Sequence, residues 1–98
     1  MTITKQERQL LTNILNSLDR LFDRENQIVD VHDLLLASSV ALIETIHSPQ
    51  LQDAIERTQT VLRSGKALEN KRDDALTETQ TLREYLADIL YRDSPLRI

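Results

Sequence analysis

Apolar residues recur along most of this chain at steps of three and four, the period that collects side chains on one face of a helix. Leu11, Ile14, Leu15, Leu18, Leu21 and Phe22 form the first such stripe. Ahead of it, Thr4 and Glu7 make a T-x-x-E pattern, in which a capping hydroxyl and a carboxylate three residues on satisfy orphan backbone donors reciprocally. The spacing predicts a helix over 5–23. RENQIV, residues 24–29, breaks the rhythm. Asp30 then reads as an N-cap with Asp33 three residues later, and Val29 and Leu34 sit where a hydrophobic staple fixes the chain's entry angle, so a second helix is predicted over 31–47. Within it, LLLASSVALIETI, residues 34–46, has Glu44 as its only charge. A helix apolar nearly all round belongs inside a packing of helices, and this one is expected to be a central rod buried by three amphipathic companions.

Proline disfavours helix in the residue before it and suits the first position of a new one, so Ser48-Pro49 closes one helix and opens the next, with Ser48 as N-cap. Leu51, Ala54, Ile55, Thr58, Val61 and Leu62 stripe a third helix over 49–64. Gly65, the only glycine, stands where a left-handed C-terminal cap belongs. A fourth helix is predicted over 68–92 on a seam of Leu68, Ala75, Leu76, Thr79, Leu82, Leu86, Ile89 and Leu90, with Ser94-Pro95 ending it. Four helices joined by short connections leave neighbours side by side, which predicts an all-α, four-helix up-and-down antiparallel bundle in one domain over 1–98. The tightness of Ser48-Pro49 keeps an orthogonal packing, with a corner there, as the alternative. Roughly twenty aliphatic core positions leave little surplus stability, and a homodimer is a natural supplement.

Of the 98 residues, 29% are charged, and 16 acidic against 12 basic residues give a formal charge of −4. That sign is opposite to the footprint of a nucleic-acid binder and favours a basic partner. The 34–46 run falls short of the roughly 20 apolar residues of a membrane span, so no membrane association is expected. MTITKQERQLL lacks the basic-then-apolar order of a secretory signal, which predicts a cytoplasmic protein. The absence of cysteine removes disulfides and thiolate metal sites.

Catalysis is tested by inventory. Covalent catalysis by serine needs a histidine oriented by a third group, and the two histidines, His32 and His47, fall about 22 Å apart along helix two at 1.5 Å per residue. There is no H-E-x-x-H, glycine-rich phosphate loop or dinucleotide fingerprint. Glu44-Thr45-Ile46-His47 is an E-x-x-H, the ligand pair of di-iron bundles, yet such a site needs two copies and two further glutamates, and a homodimer would have to supply the second copy. The simpler reading is a polar helix end with Glu44 solvated. No catalytic residue, cofactor or metal is therefore expected.

The acidic residues offer more. Asp19, Asp23, Glu25, Asp30 and Asp33 crowd the turn between helices one and two against only Arg20 and Arg24. The helix three to four connection brings Arg63, Lys66, Lys71 and Arg72 to the same pole, where they either neutralise the acids or leave them for a partner. Tyr85 reads as a core edge, and Tyr91, off the seam, as an exposed interface residue.

LFDRENQIVDVHDLLLASSVAL, residues 21–42, together with the small acidic all-helical format, resembles the helical immunity proteins of bacterial contact-dependent growth inhibition systems. It looks most like those paired with endoribonuclease toxins. The resemblance implies a cytoplasmic, non-enzymatic toxin inhibitor that binds a cognate toxin domain and occludes its cleft, presenting carboxylates where the toxin holds RNA phosphate. Asp19, Asp23, Glu25, Asp30 and Asp33 are the positions matched to that role, and Tyr91 joins them as a partner-binding candidate on its position off the seam. A nuclease cleft is basic because it holds phosphate, so a net-negative plug would be steered into it. The competing expectation is a self-associating helical module that pairs through an apolar stripe of helix two.

Overall fold

The computed structural model describes residues 3–92, which are all-helical: α1 Lys5–Phe22, α2 Ile28–Ala41, α3 Ser48–Arg63, α4 Leu68–Glu78 and α5 Gln80–Arg92. The expected Ser94-Pro95 terminator lies outside the described residues.

At the start of α1 the capping box forms as the sequence predicts: Thr4 Oγ1 accepts the Glu7 N–H at 3.0 Å, and the Glu7 carboxylate accepts the Thr4 N–H at 3.5 Å. Its other end closes without a glycine. The Glu25 N–H bonds the Arg20 carbonyl at 2.8 Å and the Arg24 N–H bonds the Leu21 carbonyl at 3.2 Å, a Schellman motif in which Arg24 takes the left-handed conformation at φ 63°. Arg72 of α4 donates to the same Leu21 carbonyl at 2.8 Å, tying α4 to the end of α1.

α2 departs from the predicted 31–47 at both ends. Gln27 is extended (φ −113°, ψ 164°) and is the half-in residue, so Asp30 sits inside the first turn and its carboxylate reaches back to accept the Gln27 N–H at 2.8 Å. At the far end the Thr45 hydroxyl donates to the Leu42 carbonyl at 2.7 Å and accepts the His47 N–H at 3.2 Å. Such side-chain bonds offer the backbone an alternative to the helical ladder, and residues 42–47 form successive turns instead. Ser48 is therefore the first residue of α3, with Pro49 in its first turn, and is not its N-cap.

Two further expectations are corrected. Gly65 does not have positive φ; Ser64 leaves α3 in an extended conformation, and Lys71 Nζ caps the Leu62 carbonyl at 3.1 Å. The predicted single helix over 68–92 is two helices separated at Thr79, which makes five helices among the described residues where four were expected. Thr79 is buried at φ −98°, ψ 2°, and its hydroxyl donates to the Ala75 carbonyl at 2.7 Å, the back-bonding that bends helices. Leu68, the first residue of α4, is exposed and off the expected seam, while Ala75, Leu82 and Leu86 are buried.

Packing runs in a ring: α2 lies against α1 and α3, and both α1 and α3 lie against α4 and α5. The core fills its centre, with Leu11, Ile14, Leu18 and Leu21 from α1, Val31 and Leu35 from α2, and Leu51, Ala54 and Ile55 from α3 among its buried residues. This places α2 at a corner and overturns the central-rod expectation. The molecule measures 44 × 27 × 18 Å. Helix axes pack about 8–10 Å apart, so 18 Å spans roughly two layers, too few to surround any helix.

Candidate interaction surface

A corner helix keeps one face outside, and in α2 that face is apolar. Leu35 and Leu42 are buried, whereas Val29 is 44% exposed, Leu36 43%, Val40 73%, and, in the following turns, Ile43 64% and Ile46 57%. Within the helix the outward positions Val29, Asp33, Leu36 and Val40 step by four, three and four, the spacing of a coiled-coil seam. Asp33 is the single charge in that seam, and it is exposed.

The acidic residues divide. Asp23, Glu25, Asp30 and Asp33 are all exposed. Asp19 is half-buried and committed, with Oδ1 2.5 Å from Arg83 Nη2 on α5. Of the four cations expected to neutralise the pole, three are occupied elsewhere. Lys66 bonds Asp74 at 2.7 Å, Lys71 and Arg72 donate to backbone carbonyls, and Arg63 is exposed at the end of α3. Arg20 lines the same α1–α2 depression as Asp30, about 450 Å³ in volume, without forming an ion pair with it. Arg24 pairs with Glu69.

These local facts belong to a larger asymmetry. Between Arg24 and Arg57 the chain contains no lysine or arginine, while Glu25, Asp30, Asp33, Glu44, Asp53 and Glu56 are all exposed. The cations bounding this stretch are themselves engaged, Arg24 with Glu69 and Arg57 with both Asp53 at 2.8 Å and Glu78 at 3.0 Å. Hydrogen bonds donated to those two carboxylates push the Arg57 guanidinium above its ordinary value, so it stays charged. α2 and the turns after it thus carry net negative charge around an apolar stripe. Reading the sequence for acidic clusters at the α1–α2 turn misses this; the run without cations and the four-three-four spacing were the available signals.

The histidines are structural. His32 on α2 and Thr58 on α3 meet at 2.8 Å in the interior, where the Thr58 hydroxyl donates to the Ala54 and Ile55 carbonyls and accepts from His32 Nδ1–H. His47 is fully buried, 2.6 Å from the Tyr85 hydroxyl at Nδ1 and 3.2 Å from a Glu7 carboxylate oxygen at Nε2. Glu7 accepts the Nε2 proton, which leaves Nδ1 to accept the tyrosine proton. Burial pushes the Tyr85 hydroxyl above its ordinary value and keeps that proton in place. This clasp joins the start of α1, the α2–α3 turns and α5. It also separates the E-x-x-H fragment, because Glu44 is exposed while His47 faces inward, and the fragment is not helical. Among the described residues no three histidine, cysteine or acidic side chains are placed to hold a metal ion, and no helix is long and apolar enough to cross a membrane. Tyr91, near the end of α5, is 68% exposed.

Compared with known proteins, the chain matches no family model, no curated protein and no solved structure.

Proposed function

We propose that this protein acts by binding: a cytoplasmic, non-enzymatic immunity protein that seats its acidic side on a basic toxin domain of ribonuclease type and blocks the cleft that holds phosphate. The observation that carries this reading is the exposed carboxylates Glu25, Asp30, Asp33 and Glu44 on a stretch with no lysine or arginine, with Asp23 beside them. A field of one sign speeds encounter with an oppositely charged cleft, and carboxylates take the positions of phosphate oxygens there. The side chains most like a catalytic relay, Glu7, His47 and Tyr85, support the same reading, since they are spent on holding three elements together and His47 has no exposed surface.

The test is to express the product of the adjacent reading frame with and without this chain, scoring growth and RNA integrity. Rescue of both, weakened by reversing Asp23 and Asp30 to lysine, is the expected result. RNA cleavage and growth arrest that persist in its presence would contradict the proposal.

Self-association is the second reading, and the apolar stripe of α2 favours it. The charge on the same face opposes it: a second copy brings acids against acids. Sedimentation at micromolar concentration is expected to show a monomer.

A further inference from the structure

We infer that the outward seam of α2, Val29–Asp33–Leu36–Val40, is the docking surface, and that its occupant is a helix of the partner with an apolar ridge and a lysine or arginine set opposite Asp33. The inference deepens the binding reading above and rests on it for the partner's charge.

Three observations converge on this occupant. The seam runs straight for about 16 Å at 1.5 Å per residue, and its four-three-four spacing is the ridge that a second helix accepts between its own side chains. Its apolar members are exposed together on one helix face of a chain whose other apolar positions mostly enter one core, and exposed apolar side chains grouped in this way point to an interaction site. Finally, covering the seam takes the Asp33 carboxylate out of water, which is costly unless a cation comes with the cover. α2 and the turns after it hold no lysine or arginine, Arg24 and Arg57 at their ends are already ion-paired, and Arg20 sits on α1 in the depression it shares with Asp30 and Leu34, off the seam. A second copy brings its own Asp33 and no lysine or arginine on α2, in parallel or antiparallel register. The charged residue in the seam therefore selects against self-pairing and for a basic helix. Glu44, beyond the helix end and exposed, extends the same selection toward Ile43 and Ile46.

The experiment uses two synthetic amphipathic helices of about 20 residues, long enough to be helical alone. Each has a leucine ridge, flanked in one by lysine and in the other by glutamate. Fluorescence anisotropy is expected to show the lysine helix binding, with affinity falling as salt rises, and the glutamate helix not binding. Leu36→Asp and Val40→Asp should each weaken binding at least about tenfold, as loss of a central apolar contact does. Asp33→Lys should reverse the preference between the two helices. All three positions are exposed, and circular dichroism checks that each variant keeps its fold. The proposal is overturned if neither helix binds, if both bind equally, or if Leu36→Asp leaves binding unchanged. A dimer that Leu36→Asp splits, or binding to phosphatidylserine vesicles in place of the lysine helix, overturns it too. No toxin enters this assay, so its failure and a failure of the growth rescue are read separately.

Discussion

Arg24 occupies a backbone conformation that suits glycine, and it does so at an exposed turn where its side chain is held only by the ion pair to Glu69. A left-handed non-glycine residue costs about 1–2 kcal/mol, while an exposed ion pair returns little. Arg24→Gly is therefore expected to stabilise the fold by about 0.5–1 kcal/mol, the larger freedom of glycine in the unfolded chain taking back the rest, and to raise the melting temperature by a few degrees. Thermal unfolding checks this; an unchanged or lower midpoint would contradict it. Tyr85 makes a different prediction. Burial raises its folded-state pKa above the unfolded value near 10, so its neutral form contributes stability that is fully present below pH 10 and is lost as pH climbs through the folded value. Tyr85→Phe should cost about 1 kcal/mol at neutral pH, through the lost bond to His47, and should remove that part of the alkaline slope. Denaturant titrations between pH 8 and 11 on both proteins provide the comparison.

At the scale of elements, α2 shows what periodicity conveys and what it omits. The stripes of α1 and α3 were legible because one face is apolar and the other charged, so pattern and burial coincide: Leu11, Ile14, Leu18 and Leu21 are all inside, as are Leu51, Ala54, Ile55 and Val61. Phe22, counted on the same stripe, lies exposed with the Arg83 guanidinium 6.0 Å from its ring centre, because α1 ends there and the core has passed. α2 has apolar residues on both faces, and no periodicity separates a face buried by neighbours from one left for a partner. Its ends were misplaced for a related reason, since the Gln27 cap and the Thr45 turn depend on side-chain to backbone bonds that several sequences at those positions would satisfy. The break at Thr79 was hidden because a threonine in a helical stripe does not announce one: Thr58 is buried and back-bonded to Ala54 in the same way inside an unbroken α3. The orientation of α2 gives a sharp contrast between adjacent leucines. Leu35→Ala should cost about 2–5 kcal/mol, whereas Leu36→Ala should stay within about 0.5 kcal/mol of the parent. Similar losses in chemical denaturation would mean that α2 is turned differently.

For the whole molecule, a ring only two helices thick leaves every element an outer face, and the chemistry of those faces is unequal. α4 and α5 carry both signs of charge and trade ion pairs with α1 and α3, through Arg83–Asp19 and Arg57–Glu78. α2 and the turns beyond it carry acids alone around aliphatic side chains. The sequence pointed to an acidic binding pole at the α1–α2 turn, and Asp23, Glu25, Asp30 and Asp33 are exposed where it placed them. It did not show that Asp19 is tied to α5, nor that one face of the apolar run expected in the core, Leu36, Val40, Ile43 and Ile46, is exposed on the acidic side. Both depend on which helix occupies a corner of the ring, a property of the assembled packing that no local pattern contains. The most direct test is to titrate the isotopically labelled protein with the lysine-flanked helix and follow its amide resonances. Shifts are expected to concentrate on residues 29–46 and to disappear in Leu36→Asp. Shifts centred instead on the depression lined by Leu18, Phe22, Leu76 and Arg83, with α2 unmoved, would contradict it.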